Sequence, residues 1–266
     1  MAEQVSRLDL PGGLEAAPVA ALADLLAALA GQVPRGGLPL IAPALLLGRP
    51  ELAVVAKQMQ PPEGCGVVHE SQAFGRLATV PLDRALRIEA RISDRSASRL
   101  FDFSLLDPRG DALGQMQTRL RFVAPQDMAR FKGSRFPPHM DKGDILWRDS
   151  RAFGAEAVAS YLDLAGDPNP IHVSDSAARA VGLAGAVVPG MLFAGVADPF
   201  VAEILSGMVL RAMKLRFMAP VPVGQGLRYG LLVRARDPQG RPLAIRVFIL
   251  RADGMIAAIA DIEAGH

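Results

Sequence analysis

This 266-residue chain is predicted to adopt an α+β fold, with one antiparallel sheet wrapped around a long central helix, in two tandem copies. Three observations predict it. The first is an internal repeat. Val80-Pro81-Leu82-Asp83-Arg84-Ala85-Leu86-Arg87-Ile88 lines up with Val221-Pro222-Val223-Gly224-Gln225-Gly226-Leu227-Arg228-Tyr229 at an offset of 141 residues. Gly13-Leu14-Glu15-Ala16 falls on Gly154-Ala155-Glu156-Ala157 in the same register. The second is period-two alternation between polar turns such as Asp107-Pro108-Arg109-Gly110 and Asp237-Pro238-Gln239-Gly240, which marks antiparallel strands with one buried face. The third is an apolar helix ahead of the strands in each copy, which needs that face to lie against.

The elements follow in chain order. A helix covers Ala23–Ala30, and another runs from about Arg49 to Met59 and stops at Pro61-Pro62-Glu63-Gly64. Strands follow on the alternating sets Leu86, Ile88, Ala90, Ile92, then Phe101, Phe103, Leu105, then Met116, Leu120, Phe122. Residues 1–135 form the first copy. The segment 136–144, opening with Phe136-Pro137-Pro138, is an extended linker, and residues 145–266 form the second copy. There an amphipathic helix spans 154–165. A mostly apolar helix follows at about 190–205, where Pro199 is expected to bend or break it. Three or four strands close the copy, with Ile245, Val247 and Ile249 alternating with Arg246, Phe248 and Leu250.

Composition narrows the function. Half the residues are apolar, as expected of a folded globular chain. The net charge is only +2 and aromatics are 5%, which disfavours a nucleic-acid partner. The single Cys65 excludes an intrachain disulfide and a multi-cysteine metal site, and His69, His139, His172 and His266 lack the spacing of metal ligands. His69 reads as a packed or surface residue. The stretch Leu14–Ala30 is interrupted by Glu15, Pro18 and Asp24, so no membrane span is expected. A cytoplasmic protein is the default expectation.

The informative string is Tyr161-Leu162-Asp163-Leu164-Ala165-Gly166-Asp167-Pro168-Asn169-Pro170-Ile171-His172. It begins on a helix. Pro168 and Pro170 then push Asp167 and Asn169 out of helical geometry. In an unbroken helix Asp167 and His172 would point about 140° apart. In a proline-broken loop the carboxylate and imidazole can converge on one pocket and hold a water. The same tetrapeptide is also ordinary loop chemistry, with Asp and Asn closing turns.

The string resembles the signature of the MaoC-like, (R)-specific enoyl-CoA hydratase family. That signature reads Tyr-x-x-x-Ser-Gly-Asp-x-Asn-Pro-x-His, followed after a short helix by His-Gly-Met. Tyr161, Gly166, Asp167, Asn169, Pro170, His172, Gly190 and Met191 match it, while Ala165 and Pro189 replace its Ser and the later His. The resemblance covers residues 150–235. It implies a hot-dog fold, here a double one with the sheet wrapped around long central helices. It implies reversible hydration of a trans-2-enoyl thioester to the (R)-3-hydroxyacyl thioester, with no cofactor and no metal. Asp167 and His172 would be the acid/base pair, Asn169 would order the loop and water, and the Gly190 N–H would face the thioester carbonyl. Tyr161 and Met191 would complete the substrate site. Arg211, Lys214 and Arg216, on alternating or near-alternating strand positions, read either as a solvated face or as cations that meet the phosphates of coenzyme A. The partner implied is an acyl-CoA or acyl carrier protein thioester, and a homodimer is left open. Two other readings accompany it: a non-catalytic acyl-thioester-binding protein or partner subunit, and a hot-dog thioesterase.

At the 141-residue offset, Asp167, Asn169, His172 and Gly190 fall opposite Leu26, Ala28, Gly31 and Arg49. The first copy therefore lacks the signature. It reads as a structural half that helps to shape the acyl cavity.

Overall fold

The computed structural model describes residues 4–205 and 207–265. Ten strands form one sheet: β1 (Gln4–Leu10), β2 (Gly66–Arg76), β3 (Leu86–Arg95), β4 (Ser98–Leu106), β5 (Ala112–Val123), β6 (Leu146–Asp149), β7 (Val209–Phe217), β8 (Arg228–Arg236), β9 (Pro242–Leu250) and β10 (Ile256–Gly265). Their order is β1-β3-β4-β5-β2-β7-β10-β9-β8-β6, and the paired strands run antiparallel. Read inwards from either edge the order is the same, because β6, β8, β9, β10 and β7 repeat β1, β3, β4, β5 and β2. The halves meet where β2 pairs with β7, from Ser71 opposite Arg216 to Gly75 opposite Ala212. At the middle of that seam Ala73 faces Lys214, two positions 141 residues apart. This is the double hot-dog architecture that the sequence implies.

The helices are α1 (Ala16–Ala30), α2 (Ala53–Met59), α3 (Pro125–Met128), α4 (Ala155–Ala165), α5 (Asp175–Ala180), α6 (Gly190–Gly195) and α7 (Ala197–Ala202), and α1, α4, α6 and α7 supply most of the helical core. The first helix packs on α4 and α7, so helices from both copies share one core. Leu22, Leu26, Phe101 and Phe103 from the first copy and Phe153, Phe200 and Tyr229 from the second are fully buried there. A smaller cluster holds Phe248 and Leu250, whose register neighbours Val247 and Ile249 belong to the main core. Phe136 from the connecting segment stacks edge-on against Trp147 and Phe248 in that cluster. The connection is therefore a packed cover as well as a link.

The break expected at Pro199 is present, and two other features differ from or add to the sequence reading. The apolar run at 190–205 is two short helices, with Val196 between α6 and α7. Pro199 has no N–H to return to the Gly195 carbonyl, so the first helix ends there. The helix expected from Arg49 is a 3₁₀ turn, Pro50–Leu52, leading into α2, and a further 3₁₀ segment spans Ala42–Gly48. The edge strands β1 and β6 gave no sequence signal. One carries Arg7 and Asp9, and the other has only four residues, Leu146–Asp149.

The 141-residue offset also fails over the helices. The first helix has 15 residues and α4 has 11. Both end on a left-handed glycine, Gly31 at φ 68° and Gly166 at φ 60°. The N–H of the next residue turns back in each case, from Gln32 to the Ala27 carbonyl and from Asp167 to the Leu162 carbonyl. Gln32, not Leu26, is therefore the counterpart of Asp167. Residues 32–39 contain no carboxylate and no imidazole, so the first copy still lacks an acid/base pair.

The halves are also tied by a buried carboxylate. Asp198 accepts a 2.7 Å hydrogen bond from the Leu40 N–H through Oδ2, while Oδ1 has no partner among the described residues. Burial raises its pKa from 3.8 to about 6, against the opposing pull of the Leu40 N–H and the Arg76 charge. The folded state thus holds this proton more tightly than the unfolded chain. The resulting penalty is absent below pH 4, grows as pH rises to about 6, and stays constant above. Asp198→Asn is expected to gain roughly 2–3 kcal/mol of unfolding free energy over wild type between pH 4 and pH 7. Urea melts of both proteins across that range measure it, and a constant difference would contradict the assignment.

Candidate active site

The site begins where α4 ends. The left-handed Gly166 terminates the helix, and Pro168 and Pro170 prevent it from resuming. Side chains then take over the turns. Asp167 Oδ1 accepts from the Asn169 N–H at 3.0 Å, and Asn169 Oδ1 accepts from the Ile171 N–H at 3.3 Å. One 3₁₀ turn, Pro170–His172, swings the imidazole back towards the carboxylate. His172 Nε2 lies 3.7 Å from Asp167 Oδ2.

The other ring nitrogen sets the tautomer. His172 Nδ1 is 2.7 Å from the Val187 carbonyl oxygen, which can only accept, so Nδ1 carries the proton. Nε2 is then a bare acceptor. Burial lowers the pKa of His172, outweighing the Val187 carbonyl and the Asp167 charge, so the ring is neutral near pH 7. Two acceptors 3.7 Å apart form no hydrogen bond with each other. They are spaced to receive the two protons of one water.

Asp167, Asn169 and His172 line a cavity of about 230 Å³, with Tyr161, Gly190 and Met191. A second cavity, of about 140 Å³, shares Val67, His69, Ile171, His172 and Gly190 with the first. His172 therefore borders both spaces, while Asp167 lines the first alone. Burial raises the pKa of the Tyr161 hydroxyl, with the Asp167 charge adding to it, so the hydroxyl stays protonated. Gly190 opens α6, where N–H groups have no intrahelical acceptor. A Cβ at Gly190 would stand 3.0 Å from the Phe217 ring, so glycine lets this backbone approach closely.

Two expected residues lie elsewhere. Lys214 and Arg216 are exposed on β7 and are absent from the lining of both cavities. The alternate residues Met213 and Leu215 take the buried face, which turns the two cations outwards.

Three residues escaped the sequence reading. His69 and Gln72 on β2 and Thr118 on β5 face the same cavity from the first copy. A break in register between His69 and Ser71 lets a strand place His69 and Gln72 within 3.0 Å of each other. His69 is half-buried, its ring tilted at 42° with its centroid 4.5 Å from that of Phe217, and desolvation drops its pKa to about 4. The i, i+3 spacing looks helical and no strand pattern reveals the bulge, so no sequence signal marked them.

Among the described residues no group of three or more His, Cys, Asp or Glu side chains could hold a metal ion, and no helix is long and apolar enough to cross a membrane.

Comparison with known proteins adds independent evidence. Residues 123–240 match the model of the MaoC-like domain. The mitochondrial 3-hydroxyacyl-[acyl-carrier-protein] dehydratase of Arabidopsis thaliana is 32% identical over 82 residues, 31% of this chain and 49% of that protein. The tomato (Solanum lycopersicum) dehydratase FERN matches at the same identity and extent. The alignment thus spans about half the length of these curated relatives. Among solved structures, the MaoC-like dehydratase of Phytophthora capsici superposes with a TM-score of 0.69 at 12% identity, covering 100% of this chain and 95% of that one. HtdX of Mycobacterium tuberculosis gives 0.66 at 18% identity, covering 97% and 99%. A second M. tuberculosis protein, described as a double hotdog fold, gives 0.63 at 13%, covering 99% and 96%. The proline-broken Asp167–His172 loop thus lies within residues 123–240, the segment of this double hot-dog fold that matches the MaoC-like domain.

Proposed function

We propose that this protein adds water reversibly across the 2,3 double bond of a trans-2-enoyl thioester, giving the (R)-3-hydroxyacyl thioester, or runs the reverse dehydration. The observation that carries the reading is the pair of acceptors, His172 Nε2 and Asp167 Oδ2, 3.7 Å apart at the wall of a cavity. A water bound there donates one hydrogen to each. As its oxygen bonds to C3, the pair takes one proton from it and a proton is returned to C2, so one water is consumed and the site is reset. The electrons of the double bond pass to the thioester oxygen as C3 is attacked. The Gly190 N–H is the donor proposed to meet that developing charge, an interaction worth about 2.7–4 kcal/mol per donor in other enzymes. Asn169 holds the loop in shape, and Tyr161 and Met191 pack the substrate. Residues 1–135 are the partner half, residues 136–144 the link, and residues 145–266 the half that bears the reacting groups.

Coenzyme A is the carrier proposed. The names of the curated relatives make acyl carrier protein the second carrier to test. Incubation with crotonyl-CoA, a long-chain enoyl-CoA and an enoyl-acyl carrier protein is expected to show loss of the conjugated thioester absorbance. Chiral analysis is expected to return the (R) product. No loss with any of them would overturn the reading in favour of a non-catalytic acyl-thioester binder. Thioester cleavage without hydration would favour a thioesterase.

A further inference from the structure

Part of the lining that the first copy contributes to this cavity is polar where a plain hydrocarbon chain would call for Leu or Val. Gln72 is 3% exposed and Thr118 is 2% exposed. Both line the cavity, together with apolar side chains such as Ala44, Leu47 and Leu120. Their hydrogen bonds run in one direction. The Thr118 hydroxyl donates to Gln72 Oε1 at 2.8 Å, and His69 Nε2 lies 3.0 Å from the same oxygen. An amide oxygen only accepts, so His69 carries its proton on Nε2, as a neutral imidazole can. Both contacts hold the carboxamide in one orientation. Its other end, Nε2, is buried and has no partner among the described residues. A buried amide N–H₂ without an acceptor is costly, and a ligand that supplies one relieves the cost.

We propose that Gln72 recognises an oxygen on the acyl chain of the substrate, beyond the carbons that react, so that the cavity selects acyl thioesters bearing a keto or hydroxyl group. This inference rests on the proposed hydratase reading and names its substrate class. The two halves then divide the work. The second copy supplies the acid/base loop, and the first, which has no acid or base in the corresponding place, supplies a donor that reads the acyl group. Thr118 and His69 are positioning residues, because they act by orienting the carboxamide.

Binding of unreactive saturated thioesters tests this apart from turnover. Octanoyl-CoA is compared by isothermal titration with a set of oxo-octanoyl-CoAs whose ketone is moved stepwise along the chain beyond C3. Wild type is expected to bind at least one oxo derivative about tenfold or more tighter than octanoyl-CoA, the effect of one well-made hydrogen bond. Gln72→Met removes the donor, and Gln72→Glu keeps an acceptor for Thr118 and His69 while removing it. Both are expected to lose the preference, with folding checked by circular dichroism. Should either variant fail to fold, the wild-type comparison decides alone. No preference in wild type, no binding of any probe, or a preference that survives in a folded variant would overturn the inference. A wild type that prefers the oxo chain but hydrates no enoyl thioester would leave the inference standing and defeat the hydratase reading.

Discussion

Asp167→Asn and His172→Ala are each expected to lower kcat for enoyl-thioester hydration by at least about 10²-fold, the lower range for acid–base groups. Both remove one of the two acceptors that face each other across 3.7 Å. The Asn side chain still offers an oxygen to the Asn169 N–H, so the turn survives while the charge is lost. The Ala variant loses the contact between the ring and the Val187 carbonyl, but the loop keeps its proline and Asx geometry. Circular dichroism is expected to show folded protein in both cases, and initial rates on enoyl-CoA substrates give kcat. The pH profile has a stated direction as well. Burial lowers the pKa of His172, so the neutral ring persists below the ordinary imidazole value of 6.5, and activity is expected to hold there before it falls. Rates within a few-fold of wild type in both variants would remove this pair from the mechanism.

Gly48→Ala is expected to cost about 1–3 kcal/mol of stability or more, the usual range for overpacking, and to lower kcat at the same time. A Cβ at Gly48 would lie 2.5 Å from the Ala165 carbonyl oxygen and 3.0 Å from the Gly166 Cα. Both contacts are with backbone, which cannot swing aside as a flexible side chain can. The end of α4 must therefore shift, and Asp167 is the residue after Gly166. Stability and catalysis are thus linked through one close approach between the first copy and the second. Gly36→Ala is the control, since a Cβ there meets nothing within 4 Å. Urea melts and kcat on the two variants measure the contrast. A Gly48→Ala protein as stable and active as Gly36→Ala would mean that the two backbones are not in contact.

Local chemistry was legible in the sequence. Pro168 and Pro170 restrict φ and remove donors wherever they stand, so the break after Gly166 follows from the string itself. The duplication was legible in the strands, where the β2–β7 seam keeps the 141-residue relation. It misled over the helices, because α1 is four residues longer than α4 and a constant offset cannot absorb the difference. Lys214 and Arg216 read from the sequence either as a solvated face or as phosphate ligands, and the strand pleat that turns them outwards decides for the solvated face.

The sequence by itself determined the duplicated antiparallel α+β class and the proline-broken loop that carries Asp167 and His172, because each depends on backbone restrictions or periodicities contained in a short stretch of chain, while the hot-dog class came from the resemblance of that loop to a family signature. Only the tertiary structure decided what shares a cavity with that pair. Gln72 and Thr118 are 46 positions apart and meet because β2 pairs with β5. That wall meets the Asp167 loop across the shared core of the two halves, and the free end of the Gln72 amide is set by which partners already occupy its oxygen. Such contacts depend on strand pairing and on a bulge at His69–Ser71, and neither leaves a mark on the order of residues along the chain.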